Sequence, residues 1–127
     1  MDVTNPSKQK GTVMETAVVN YLRGAFSDTE HTIRRGALHG RQDEGDVHGL
    51  THRGGRIVVE VKNRRRLEIN DWLEQAERER GNADAAYGVV VFHRNGIGLS
   101  RMGEQGVLMT LETFARLIGG EPDDRDL

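Results

Sequence analysis

Cysteine is absent from the 127-residue chain, which excludes a disulfide framework, a thiolate zinc site and a cysteine nucleophile. The same absence fits a reducing compartment, so a cytoplasmic location is expected. Long apolar runs are missing too. None approaches the roughly 18–20 residues that cross a bilayer, and the leading MDVTNPSKQK lacks the apolar core of a signal peptide; no membrane role is expected. No Pro/Gly-rich linker, internal repeat or low-complexity segment divides the chain. Lysine is scarce, with three against fifteen arginines. A GC-rich coding sequence explains the bias as well as phosphate recognition does, yet it makes each lysine informative. What remains is 35% hydrophobic and 30% charged, the composition of one soluble globular domain. A chain this long buries roughly two thirds of its unfolded surface.

The formal net charge of −2 hides an uneven distribution. Residues 31–66 carry nine Lys/Arg and four Asp/Glu, net +5, whereas residues 67–127 carry six and twelve. A basic middle in an acidic chain points to a polyanion-facing surface, or else to charges balanced in space.

Helical spacing of Met14, Ala17, Val18, Tyr21, Leu22 and Ala25 predicts a first helix over residues 8–26. A short strand is expected at 32–35, followed by a glycine-rich loop over 36–45. A second strand starts near Val47, and Gly54-Gly55 turns it into residues 57–62, the clearest strand of the chain. Ile69, Trp72, Leu73 and Ala76 mark a helix over about 70–80, with Asn70 or Asp71 as its cap. Residues 87–93 read as a buried central strand. Asn95-Gly96 signals a hairpin into a strand over 97–101, and 107–109 adds another short strand. Thr110 caps a last helix bearing Leu111, Phe114, Ala115 and Ile118. Residues 1–7 and the acidic 120–127 are expected to be loose, leaving one domain over 8–119. The class is α/β, with a mixed sheet and the second helix as a crossover.

In the third strand, period-2 alternation puts Glu60 and Lys62 on one face and Ile57, Val59 and Val61 on the other. Buried charges need a partner or a metal; mutual pairing at an exposed strand end is the bland reading. Asp46 opens the strand that hairpins onto this one. Two carboxylates with a strand carbonyl, that of Val61, make a hard-oxygen site for Mg²⁺ or Mn²⁺, and Lys62 beside it suits charge stabilisation on a phosphate. Asp43 and Glu44 compete with Asp46 but are less well placed. The spacing of His48 and His52 is metal-like, although glycines argue against the helix that would align them.

The ordered set of Lys10-Gly11-Thr12-x-x-Glu15, Arg34-Arg35-Gly36, Gly45-Asp46 and Glu60-Val61-Lys62-Asn63 resembles the PD-(D/E)-x-K, restriction-endonuclease-like nucleases. Within them it is most similar to archaeal-type and phage-encoded Holliday-junction resolvases. The resemblance covers about residues 8–93. It implies an αβββαβ core flanked by helices, Asp46 and Glu60 as ligands of Mg²⁺ (or Mn²⁺), Lys62 as the catalytic lysine and Glu15 as a supporting carboxylate. Gln75 is similar to a polar helix position that completes many such sites. Two departures stand out: Gly45 replaces the usual proline, and the loop lacks a serine or threonine, for which His39, Arg41 or Gln42 are the candidate substitutes. Thr12-x-x-Glu15 also reads as a capping box, and Gln75 as a boundary residue.

The expected function is a Mg²⁺-dependent endonuclease acting on branched DNA such as Holliday junctions, as a twofold homodimer. Arg34, Arg35, Arg41, Arg64, Arg65 and Arg66 are the candidate phosphate contacts. The alternatives are a nuclease of the same fold with a nicking, repair or restriction-type target, a non-catalytic DNA-binding module, and a structural protein.

Overall fold

A computed structural model describes residues 6–36 and 43–122. Helix α1 runs over Pro6–Ala25 and is followed by strands β1 (Arg34–Arg35), β2 (Val47–His52) and β3 (Gly55–Lys62). Helix α2 (Ile69–Asn82) then leads to β4 (Tyr87–Phe92), a kinked 3₁₀ segment (Leu99–Glu104), β5 (Gly106–Leu108) and α3 (Leu111–Leu117). The five strands lie in the order β1-β2-β3-β4-β5. Only β3 and β4 are parallel, and α2 is the crossover between them. The chain is thus α/β, with a five-stranded mixed sheet flanked by helices, and no helix among the described residues is long and apolar enough to cross a membrane.

The alternation of β3 divides the interior. On one face Val59 and Val61 join Met14, Val18, Val19, Ile33, Val47 and Val89 in an apolar core under α1. On the other, Trp72 and Ala76 of α2 pack on Val90, with Phe92 and Leu108 beside them. Arg23 Nε fastens the end of α1 to the Ile33 carbonyl at 2.7 Å.

Several expectations need correction. Helix α1 begins at Pro6, ahead of residue 8, because proline at a first helical position gives up an N–H that has no partner there anyway. On its buried side Val19 replaces Tyr21 and Ala25, which are exposed. The hairpin turn is Arg53-Gly54, both at positive φ, and Gly55 already belongs to β3. Neither Asn70 nor Asp71 caps α2; Glu68 precedes it without a side-chain bond. Residues 97–101 form no strand. The Ile97 carbonyl bonds the His93 ring at 2.7 Å and Gln105 Nε2 at 3.1 Å, so side chains satisfy the backbone that a ladder would have used. Thr110 does cap α3, accepting from Thr113 N–H at 3.1 Å, but the helix is turned so that Thr113 is buried and Leu111, Phe114 and Ile118 face outward.

Candidate active site

The β2–β3 pairing sets the site. Val47 is opposite Val59 and Leu50 opposite Ile57, so β2 carries one extra residue. Gly49, at φ +92, absorbs that bulge; a Cβ there would lie 2.1 Å from the Thr32 carbonyl oxygen. The bend brings the start of β2 over the end of β3. Asp46 N–H donates to the Val59 carbonyl at 2.7 Å, and Asp46 Oδ2 accepts from Val61 N–H at 2.8 Å. A strand residue presents its N–H and C=O to the same edge, so the Val61 carbonyl, like its N–H, is directed to the β2 side of β3. Gly45 stands at φ +97, which proline cannot adopt, and a Cβ would lie 2.7 Å from Val58 Cγ1. The departure from the proline pattern is therefore built into this loop's geometry.

Five of the sequence-predicted residues meet here, from α1, the start of β2, β3 and α2. Gln75 is the hub. Its Oε1 accepts from Lys62 Nζ at 2.6 Å, and its Nε2 donates to Glu60 Oε1 at 3.0 Å and to Glu79 Oε1 at 2.9 Å. Lys62 Nζ is also 3.4 Å from Glu60 Oε1. Glu15 approaches from α1 and pairs with Arg35 at 3.4 Å. Because α1 starts at Pro6, Thr12 and Glu15 are interior to the helix and form no capping box. The buried Oε2 atoms of Glu60 and Glu79 have no hydrogen-bond partner, although these residues are 5% and 2% exposed.

Electrostatics follow from that crowding. Burial pushes the Glu60 carboxyl up to about 10, and the neighbouring Glu79 and Asp46 add to the effect while Lys62 opposes it. Burial also raises Asp46 and Glu79. Glu15 is raised by burial and by the charge of Asp46, against the pull of Arg35. Without a cation, Glu60 keeps a proton that an ordinary carboxylate would lose at neutral pH. Unpartnered carboxylate oxygens with Lys62 and Arg35 as the nearby cations among the described residues are a donor set suited to a hard divalent ion.

The sequence reading does not name Glu79, and it sets Asp43 behind Asp46. One oxygen from each of Asp43, Glu60 and Glu79 lies within 4.8 Å of the others. The sequence does hold a trace of Glu79, because it follows Trp72, Gln75 and Ala76 on one helical stripe, placing a carboxylate on a buried face. Asp43 Oδ1 also accepts from Gly45 N–H at 2.8 Å, while Glu44 turns away to Arg56 at 3.8 Å.

The remaining candidates lie around this centre. Arg34 is exposed on β1 and donates to the Thr32 carbonyl. Arg64, Arg65 and Arg66 sit on the exposed loop after β3 and form no ion pair among the described residues. His39, Arg41 and Gln42 fall outside the described residues. His48 and His52 both lie on β2 but diverge: His48 bonds the Gly45 carbonyl and Arg56, and His52 meets the Tyr87 ring edge-on at 5.8 Å. Comparison of the chain with family models, curated proteins and solved structures finds no match.

Proposed function

We propose that this chain is a divalent-cation-dependent endonuclease of the PD-(D/E)-x-K, restriction-endonuclease-like kind, cutting phosphodiesters in branched DNA and, foremost, Holliday junctions. One observation carries the reading: Glu15, Asp46, Glu60, Lys62 and Gln75, spread over sixty residues of sequence, converge on one end of β3 around carboxylate oxygens that lack partners. A purely structural cluster of this kind would be poorly designed, since an unpaired buried carboxylate lowers stability.

Asp46, Glu60 and the Val61 carbonyl would hold Mg²⁺ or Mn²⁺, which supplies a more acidic bound water and Lewis-acid polarisation of the phosphate. The side chains do the rest. Gln75 spends its amide oxygen on Lys62 and its amide hydrogens on the two glutamates, which fixes the ammonium at the edge of the carboxylate cluster. From there Lys62 stabilises negative charge that grows on the phosphate and orients the attacking water. Glu15 holds Arg35 beside the site, and Arg35 with Arg34 and Arg64 to Arg66 gives the backbone phosphates guanidinium partners. A four-way junction presents two equivalent strands, and each chain offers one such site, so a twofold dimer meets the substrate. Leu111 and Phe114 of α3 and Ile118 at its end, exposed by 48–81%, offer apolar side chains for it; residues 87–92, the other candidate, are largely core.

The test is cleavage of a synthetic four-way junction beside linear duplex, with Mg²⁺ and with chelator. Cation-dependent cutting of the junction alone is expected. Cutting of linear duplex equally well would move the target to nicking, repair or restriction-type chemistry, and tight binding without cutting would favour a non-catalytic DNA-binding module.

A further inference from the structure

We propose that Glu79, together with Asp43 and Glu60, forms a second divalent-cation site beside α2, with a ligand set that does not include Asp46. The site shares Glu60 with the proposed catalytic centre, and its role in cleavage rests on that reading; its capacity to bind a cation does not. Three observations carry it. One oxygen from each of the three residues falls within 4.8 Å of the other two, a span that a hard cation can draw together. Glu60 and Glu79 are almost wholly buried, and each keeps one oxygen with no hydrogen-bond partner. Gln75 donates to the other oxygen of both glutamates, orienting them as an outer-sphere group orients ligands.

Asp43 supplies the third ligand. Asp43 is exposed, its Oδ1 accepts from Gly45 N–H, and its carbonyl is tied to α2 by Asn82 Nδ2 at 3.0 Å. A cation there would fasten Asp43 to α2. The arrangement explains why α2 carries a carboxylate at Glu79, a position 2% exposed on the stripe that also holds Trp72 and Ala76.

The experiment is a Mn²⁺ titration of the full chain followed by electron paramagnetic resonance of free Mn²⁺, with thermal melts on the same samples. Wild type, Glu79→Gln, Asp43→Asn and Asp46→Asn are compared. Glu79→Gln and Asp43→Asn are each expected to weaken Mn²⁺ binding at one site by about tenfold or more, the scale on which even outer-sphere partners act. Asp43 lies on an exposed loop, so its variant decides the matter if Glu79→Gln does not fold. Wild-type titration curves in either folded variant would overturn the three-residue site; Asp46→Asn alone weakening binding would do so while keeping the catalytic reading. Loss in Glu79→Gln and Asp43→Asn, with no DNA of any form cut by wild type, would uphold the site and overturn the nuclease. Absence of Mn²⁺ binding by wild type would end both.

Discussion

The two faces of the sheet are built on opposite terms. Under α1, Met14, Val18, Val19, Val47, Val59 and Val61 interdigitate with no buried charge among them, whereas under α2 a smaller apolar set, Trp72, Ala76 and Val90, shares its layer with Glu60, Glu79, Lys62 and Gln75. The first face holds the domain together and the second draws on that stability. Burying a leucine- or methionine-sized side chain contributes about 1.5–3 kcal/mol, and an unsatisfied buried polar group costs about 1–3 kcal/mol. The apolar face is thus large enough to carry the polar one, and the polar one needs cations or protons to reach its most stable state.

The largest expected effect separates the faces by activity. Glu60→Gln and Asp46→Asn remove proposed metal ligands from the polar face only, so DNA cleavage should drop by at least about 10³-fold, with junction binding kept or tightened because no positive charge is lost. Full activity in either purified variant sinks the assignment of these carboxylates. Lys62→Arg is the finer cut. The guanidinium is bulkier, and its geometry does not match the single oxygen that Gln75 offers, so a loss of about 10²-fold is expected with the fold intact. Wild-type turnover there would mean that only a positive charge is required.

How far the sequence reaches can be judged from the same two faces. Period-2 alternation in β3 and the 3.6-residue stripe of α2 are local patterns, and they located both elements and the Glu60/Lys62 pair. Asp46 is legible from its place at the start of the strand that hairpins onto β3, whereas Glu15 and Gln75 enter only through the resemblance of the ordered motifs to known nucleases. Glu79 is not legible, because its meaning depends on which strand α2 packs against, and that is a tertiary fact. The 97–101 segment failed for a related reason: its backbone is satisfied by His93 and Gln105 side chains, which no propensity reports. In α3 the apolar residues do share a stripe, but a stripe does not say whether it faces inward.

A substitution on the apolar face should do the reverse of one on the polar face. Met14 is fully buried, so Met14→Ala should destabilise the protein by about 2–5 kcal/mol, while cleavage per folded molecule stays near wild type. A large loss of specific activity in the folded fraction would show that α1 positions the site more tightly than Glu15 alone implies.

The smallest effect lies in the pH dependence of the metal-free protein, and it probes the polar face without any substrate. A carboxyl whose folded pKa is above its unfolded value binds more protons when folded. Its contribution is complete below the unfolded value of 4.5 and is lost as pH rises, through about 10 for Glu60. Asp46, Glu79 and Glu15 are shifted in the same direction. The exposed Asp28 and Glu104 are shifted downward and act only in acid, clear of a window from about pH 5 to 9. In chelator, the melting temperature should therefore fall across that window, and the fall should be shallower in Glu60→Gln, by about 4 °C at the alkaline end if roughly 1 kcal/mol is involved. Comparing the two proteins cancels the five histidines, which are common to both. Saturating Mg²⁺ should flatten the wild-type curve as well, since a cation takes the place of the protons. Parallel curves for wild type and variant in chelator would mean that Glu60 ionises as freely in the folded protein as outside it, and that the polar face is wet instead of buried.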